Sequence, residues 1–339
     1  MIFLHLTIVS TLPLLAHAWG SLGHETIAYL AQHYVKPHTA TWAKAILNDT
    51  STSYLANHAT WADSYRYTAE GKFSAPYHFI DAEDDPPQTC NVDFDRDCGR
   101  AGCSISAIAN YTARVQAGDA LSAQQVDYAL RFLIHFVGDI TQPLHDEALE
   151  VGGNDIDVTF DGAATNLHHA WDTNMPEQLR GGYSLADAKA WAANLTKEID
   201  SGVFKEDTAS WARGIDIKDP KTTALGWATD ANRYVCSVVM PDGQNALETG
   251  DLYPTYYNDV IGTVELQIAK AGFRLAKWLD AIAANQSVTK RWAHAEAHAQ
   301  GSAEAAVDLS GRDWLPAPRD LTPAKLRREA MGWGCGHEH

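Results

Sequence analysis

The sequence predicts a mainly α protein, a single compact helical domain carrying one short β-hairpin. Apolar residues recur at helical spacing along most of the chain. Ser122-Ala-Gln-Gln125 has the form of a capping box just ahead of the clearest periodic run. Strand-like alternation is confined to Ile156-Asp157-Val158-Thr159-Phe160.

Taken in order, residues 1–18 join an apolar stretch to the small-residue site Ala16-His17-Ala18, which predicts a secretory signal cut before Trp19 and hence a secreted protein. The segment has no Lys or Arg ahead of its apolar stretch, and His5 and Pro13 interrupt it too often for a membrane span. No later apolar run is long enough to cross a membrane. Ile27, Leu30 and Ala31 mark a first helix. Val126, Leu130, Leu133 and Val137 line a helix that opens at Ser122 and runs to about Asp139, with Pro143 preventing its continuation. The alternating stretch lies between Gly152-Gly153 and Asp161-Gly162, which predicts the hairpin. Asn166–Asp172 is a further helical segment, and Val260, Ile261, Val264, Ile268, Phe273, Leu275 and Leu279 mark the last helix. From about Ser287 the sequence becomes rich in Ala, Glu and Arg, broken by Pro316, Pro318 and Pro323. The expected division is a leader over 1–18, a domain over 19–286, and a partly ordered extension over 287–339 with no assigned role.

The formal charge is −17 and none of it lies in the leader. Such a chain repels polyanions unless something local reverses the field, and bound metal dications can do so. A continuous basic track for tight duplex binding is absent. The sequons at Asn48, Asn110, Asn194 and Asn285 point to an exported glycoprotein. Five cysteines are few for 339 residues, so disulfides would staple a fold that already has a core. Cys98 and Cys103 suit a small local loop, leaving Cys90 to pair with Cys236 and Cys335 as the odd one out. A zinc–cysteine site is the alternative, although no Cys-x-x-Cys pair exists.

Histidine and aspartate carry the chemistry. His135 and Asp139 stand at i and i+4 of the capped helix, and His168 and Asp172 repeat the spacing. His145 follows the Pro143 break, while Asp63 and His78 sit in Trp61-Ala-Asp63 and Tyr77-His78-Phe79. Cleavage before Trp19 would leave a free α-amine five residues from His24, a latent metal chelate. A lone His–Asp pair is usually a surface ion pair, but two pairs with three further histidines favour metal. Imidazole nitrogen with carboxylate oxygen, and no thiolate, suits a catalytic zinc site. His24-Glu25 lacks the second histidine of a zinc protease, and no phosphate-binding glycine loop or Gly-x-Ser-x-Gly elbow occurs.

Five motifs then resemble one family: Trp19 to His24, Trp61-Ala-Asp63-Ser-Tyr-Arg66, Tyr77-His78-Phe79-Ile-Asp81, His135 to His145, and Asn166-Leu-His168-His-Ala-Trp-Asp172. Together they resemble the fungal and plant zinc-dependent single-strand nucleases of the nuclease S and nuclease P type, over residues 19–286. The resemblance implies a phospholipase C/nuclease P-like helical fold and three Zn2+ ions. Asp63, His78 and His135 would hold one, the amine and carbonyl of Trp19 with His24 a second, with Asp139 bridging the two. His145, His168 and Asp172 would hold the third. It also implies that Asp63, Asp139 and Arg66 serve catalysis, with Arg66 against the scissile phosphate, while Phe79 and Val151 flank a base whose edge meets Asp81. The simpler readings are an Arg66–Asp63 salt bridge, a core Phe79 and a solvated Asp81.

The implied activity is endonucleolytic hydrolysis of single-stranded DNA and RNA to 5′-phosphate products, with 3′-nucleotidase activity, by a monomer that engages no membrane. Two other functions compete: a zinc-dependent phospholipase C, on a related trinuclear scaffold, and a non-catalytic secreted zinc-binding glycoprotein. Phe79 and Asp81 after His78 favour the nuclease over the first, and Arg66 argues against the second.

Overall fold

The computed structural model describes residues 19–284 and Gln286. The leader, Asn285, and the extension from Ser287 with Cys335 lie outside the described residues. The main helices are α1 (Gly20–Tyr34), α2 (Pro37–Leu47), α3 (Trp61–Tyr65), α4 (Ser104–Ala117), α5 (Ala123–Asp139), α6 (Leu185–Asp200), α7 (Pro220–Tyr234) and α8 (Thr255–Ala283), joined by shorter helical turns. One hairpin, β1 (Asp157–Phe160) with β2 (Ala163–Asn166), separates α5 from α6. No described helix is long and apolar enough to cross a membrane.

The capping box forms as the sequence predicts. The Gln125 amide donates to Ser122 Oγ at 3.2 Å and the Ser122 amide donates to Gln125 Oε1 at 3.3 Å, which opens α5. It starts with exposed Ala123 and Gln124, whereas every residue from Phe132 to Asp139 is buried. A helix buried all round at one end must lie within the core there. That is how His135 and Asp139 come to the centre of the molecule.

Helix α5 packs on α4, α4 on α7, and α1 on both α6 and α8. Tyr111 of α4 stacks on Phe132 with ring centroids 4.4 Å apart, and Phe132 stacks in turn on Phe136 at 5.1 Å. The α1–α8 approach depends on Gly272, where an added Cβ would overlap Leu30 and meet the Ile27 carbonyl oxygen at 3.1 Å. Trp19, Trp171, Trp191 and Trp278 are wholly buried and fill the core between these helices.

The hairpin turns on Asp161 and Gly162, with φ of 50° and 78°, so a two-residue loop matches the twist of its strands. Asn166 closes the hairpin and starts the next helix, its side chain accepting from the His169 amide at 2.8 Å. The expected helix over Asn166–Asp172 then widens into a π turn at Ala170–Asn174, a local expansion frequent at functional sites.

Both expected disulfides form, Cys90–Cys236 and Cys98–Cys103. Of the sequon asparagines, Asn110 is 3% exposed on α4, and Thr112 Oγ1 of the same sequon accepts from the buried Trp278 indole at 3.0 Å. Asn48 and Asn194 are exposed, and Asn285 is not described.

Cys90 and Cys236 are 146 residues apart, so their bond limits a long loop of the unfolded chain. Replacing both by Ser is expected to lower unfolding free energy by about 2–5 kcal/mol. Urea denaturation checks this, and an unchanged midpoint would contradict it.

Candidate metal centre

Asp139, at the end of α5, is fully buried, and its two oxygens face different imidazoles. Oδ1 lies 3.1 Å from Nε2 of His24, which α1 delivers. Oδ2 lies 3.1 Å from Nδ1 of His78, at the end of the 3-10 turn Lys72–His78, and 3.3 Å from Nε2 of His135. Asp63, on α3, completes this side, with Oδ1 3.6 Å from His78 Nδ1 and 3.4 Å from His135 Nε2. Two donor groups that could hold a metal ion result: His24, His135 and Asp139, and Asp63, His78 and His135. They share His135, whose ring stacks on His24 with centroids 3.8 Å apart.

A third group, His145, His168 and Asp172, is likewise buried. The 3-10 turn Pro143–Asp146 supplies His145, and the helical turn after the hairpin supplies the other two. Asp172 Oδ2 lies 3.1 Å from His168 Nε2 and 3.8 Å from His145 Nε2. Asp172 Oδ1 is held by the Gln142 amide group at 2.7 Å and by the Trp19 backbone nitrogen at 3.2 Å.

The hydrogen bonds around these rings test whether they suit a metal. His135 Nδ1 donates to the Ala59 carbonyl at 2.7 Å, His145 Nδ1 to the His78 carbonyl at 2.8 Å, and His168 Nδ1 to the Gly152 carbonyl at 2.7 Å. A carbonyl only accepts, so each neutral ring carries its proton on Nδ1 and turns a lone pair inward from Nε2. The Nε2 atoms of His145 and His168 then face each other at 3.1 Å. Two lone pairs at that distance repel unless a cation lies between them. Two nitrogens on a tetrahedral zinc, each about 2.0–2.1 Å from it, stand about 3.3 Å apart. The residues therefore fit zinc, and the carbonyls are the outer partners that fix ligand tautomer and aim.

Electrostatics agree. Burial, with the Arg66 charge next, pushes the His78 imidazole down to about 3, so the ring stays neutral. Burial, with His135 next, lowers His24 below its ordinary value. Burial opposes charge on His135, but Asp139 and Asp63 outweigh it and raise its proton affinity. Burial also opposes ionisation of Asp139 and Asp172, and the adjacent imidazoles overcome it, holding both carboxyls well below their ordinary range.

The remaining sequence candidates border these clusters. Arg66 is 4% exposed, with Nη2 3.9 Å from Asp63 Oδ1 and 3.1 Å from Tyr67 Oη. The Asp63 separation is long for a charge-assisted hydrogen bond. Phe79, Asp81 and Val151 are 4%, 3% and 2% exposed, so Asp81 is not a solvated charge. Phe79 and Val151 nonetheless stand apart from the contiguous apolar core. Their segments are tied together by Ile80 N to His145 O at 2.8 Å and Ala148 N to Ala82 O at 3.0 Å. Val151 has φ 58°, a left-handed conformation costing a β-branched residue at least the roughly 1–2 kcal/mol usual for L-residues. Trp19 is fully buried, its indole donating to Thr141 Oγ1 at 3.3 Å and its backbone nitrogen meeting Asp172, while His24 reaches Asp139.

The S1/P1 Nuclease family model matches residues 19–284, the stretch that carries all three clusters. The chain belongs to the S1/P1 nuclease family. It is 59% identical to Nuclease P1 of Penicillium citrinum over 264 residues, 78% of this chain and 97% of that protein. It is 56% identical to Nuclease S1 of Aspergillus oryzae over 273 residues, 80% of this chain and 94% of the relative. Endonuclease 2 of Arabidopsis thaliana is 36% identical over 171 residues, 48% of this chain and 57% of the plant protein. The protein is a nuclease, and the phospholipase C reading is set aside.

Several groups that shape this S1/P1 nuclease centre escape a reading of the sequence. The carbonyls of Ala59, His78 and Gly152 aim three of the histidines, and a backbone carbonyl has no residue signature. Gln142 could have been found as a polar residue lying with Thr141 between Asp139 and His145. Gly138 could not: its role is to leave room, since an added Cβ would meet His24 Nδ1 at 2.9 Å.

Gly138→Ala sets two effects against each other. Helix propensity favours Ala by about 1 kcal/mol, whereas overpacking against a rigid ring costs about 1–3 kcal/mol. Displacement of His24 from Asp139 is expected to prevail, with loss of one metal equivalent and a lower melting temperature. Metal analysis and calorimetry check it; full metal content with a raised melting temperature would contradict it.

Proposed function

We propose that this S1/P1 nuclease is a secreted three-zinc endonuclease that prefers single-stranded DNA and RNA, leaves 5′-phosphate ends and also acts as a 3′-nucleotidase. The carrying observation is Asp139, a buried carboxylate whose two oxygens face two different histidine sets. A carboxylate so placed is suited to join two cations. Asp63, His78 and His135 would hold one zinc, Trp19 with His24 a second, Asp139 both, and His145, His168 and Asp172 the third. Zinc bound there supplies an acidified water, charge for the phosphoryl oxygens and stabilisation of the departing 3′-oxygen.

The chain's own residues would do the rest. Arg66 offers a planar donor fork already held by Tyr67, so it meets developing phosphoryl charge with little rearrangement. Phe79 and Val151 would receive a base between them, and Asp81 would accept from its exocyclic amine. All three are buried, so a base that reaches them has left both solvent and its stack. That requirement supports single strands over duplexes, because stacking on a side chain returns about 1–3 kcal/mol per base. With the metals holding the backbone, a net charge of −17 is compatible with a polyanionic substrate.

Two substitutions test the reading. Asp139→Asn is expected to abolish activity and release zinc, with the exposed Asp259→Asn as the unaffected control; equal behaviour would end the bridging role. Phe79→Ala is expected to weaken cleavage of single-stranded DNA by about 1–3 kcal/mol. Hydrolysis of a small activated phosphodiester without a base should change little, and parallel loss on both substrates would remove the base pocket.

A further inference from the structure

Glu150, Val151, Gly152 and Gly153 are consecutive, and all have positive φ, at 46°, 58°, 63° and 79°. Glycine adopts this conformation readily, but residues with a Cβ avoid it, a β-branched one most of all. A left-handed turn containing Glu and Val persists only where its surroundings determine it, and such strain gathers at functional sites. Side chains hold the turn at two carbonyls and its approach at the Leu149 amide. Glu147 Oε1 accepts from the Leu149 amide at 2.8 Å, Asn154 Nδ2 donates to the Val151 carbonyl at 2.8 Å, and His168 Nδ1 donates to the Gly152 carbonyl at 2.7 Å.

The third of these bonds ends on a ring of the His145–His168–Asp172 cluster. One turn thus carries Val151, the proposed wall of the base pocket opposite Phe79, and, one residue on, the carbonyl that sets the tautomer and aim of His168. The Gly152 carbonyl belongs to the next peptide unit, only the two backbone dihedrals of Gly152 away from the Val151 unit, so in a turn pinned by Asn154 and His168 a movement of Val151 is passed on to that carbonyl. Partners of metal-bound histidines typically change metal affinity by 10–100-fold when altered.

We infer that the left-handed turn Glu150–Gly153 is a positioning element common to the base pocket and the third cluster, so that a base in the pocket tightens zinc at His145, His168 and Asp172. Zinc there tightens base binding by the same factor, since the coupling is reciprocal. The inference rests on the base-pocket reading above and adds an energetic link between two places that do not share a ligand.

Adenosine is the probe, because it has a base but no phosphate to ligate metal. Zinc release from the holoenzyme to a chromogenic chelator is followed with and without saturating adenosine, and adenosine binding is measured by calorimetry. One of the three release phases is expected to slow by about 10-fold, the others remaining unchanged. The slowed phase should be missing from His145→Asn, which lacks that ion. Val151→Gly, which removes both the wall and the strain, should keep zinc yet lose the protection. Adenosine binding with all phases unchanged or equally slowed would overturn the inference alone, as would a slowed phase in His145→Asn. No adenosine binding to the holoenzyme would overturn the base pocket and the inference together.

Discussion

A carboxylate in a water-free interior must be surrounded by cations or donors, and Asp139 is the carboxylate on which this molecule is arranged. It sits where α5 is buried on every side, with His24 on one oxygen and His78 and His135 on the other. The other elements serve that arrangement. Helix α1 crosses close enough to place His24 because Gly138 leaves the space, and α3 adds Asp63 from the opposite side. Protons answer the charge only in part, since burial lowers the proton affinity of His24 and His78 and the carboxylates raise that of His135 alone among the three rings. Metal ions answer it better, since a neutral ring gives its lone pair to the ion, and His135 then keeps its Nδ1 proton for the Ala59 carbonyl.

Much of this was legible in the sequence, because it is written in short spacings. The capping box at Ser122, the i and i+4 pairs His135–Asp139 and His168–Asp172, and the Asp161-Gly162 turn are local chemistry that tertiary contacts did not override. The sharing of Asp139 between two sets was not local: it needs His24 and His78 brought from 115 and 61 residues away, and only the family resemblance anticipated it. The burial of Asn110 was not local either. A sequon is a three-residue pattern, whereas burial of that helix face under Trp278 comes from packing with a segment 166 residues on from Thr112. Left-handed Glu150 and Val151 were equally silent, since neither residue type favours the conformation it adopts.

The centre also explains how so acidic a chain can serve a polyanion. Carboxylates concentrated at Asp63, Asp139 and Asp172 repel a phosphate in the bare protein and attract it once divalent ions outnumber them in charge. Affinity then follows metal occupancy and is confined to the place where the bond is broken. A basic groove would instead bind duplex and single strand alike through their phosphates.

The most direct measurement is anomalous diffraction at the zinc edge on crystals of the protein beginning at Trp19. The expected map has three peaks: two flanking Asp139, one toward His24 and one toward His78 and His135, and a third between His145 and His168. A single peak, or two with none between Asp139 and His24, would contradict an interior built around a shared carboxylate.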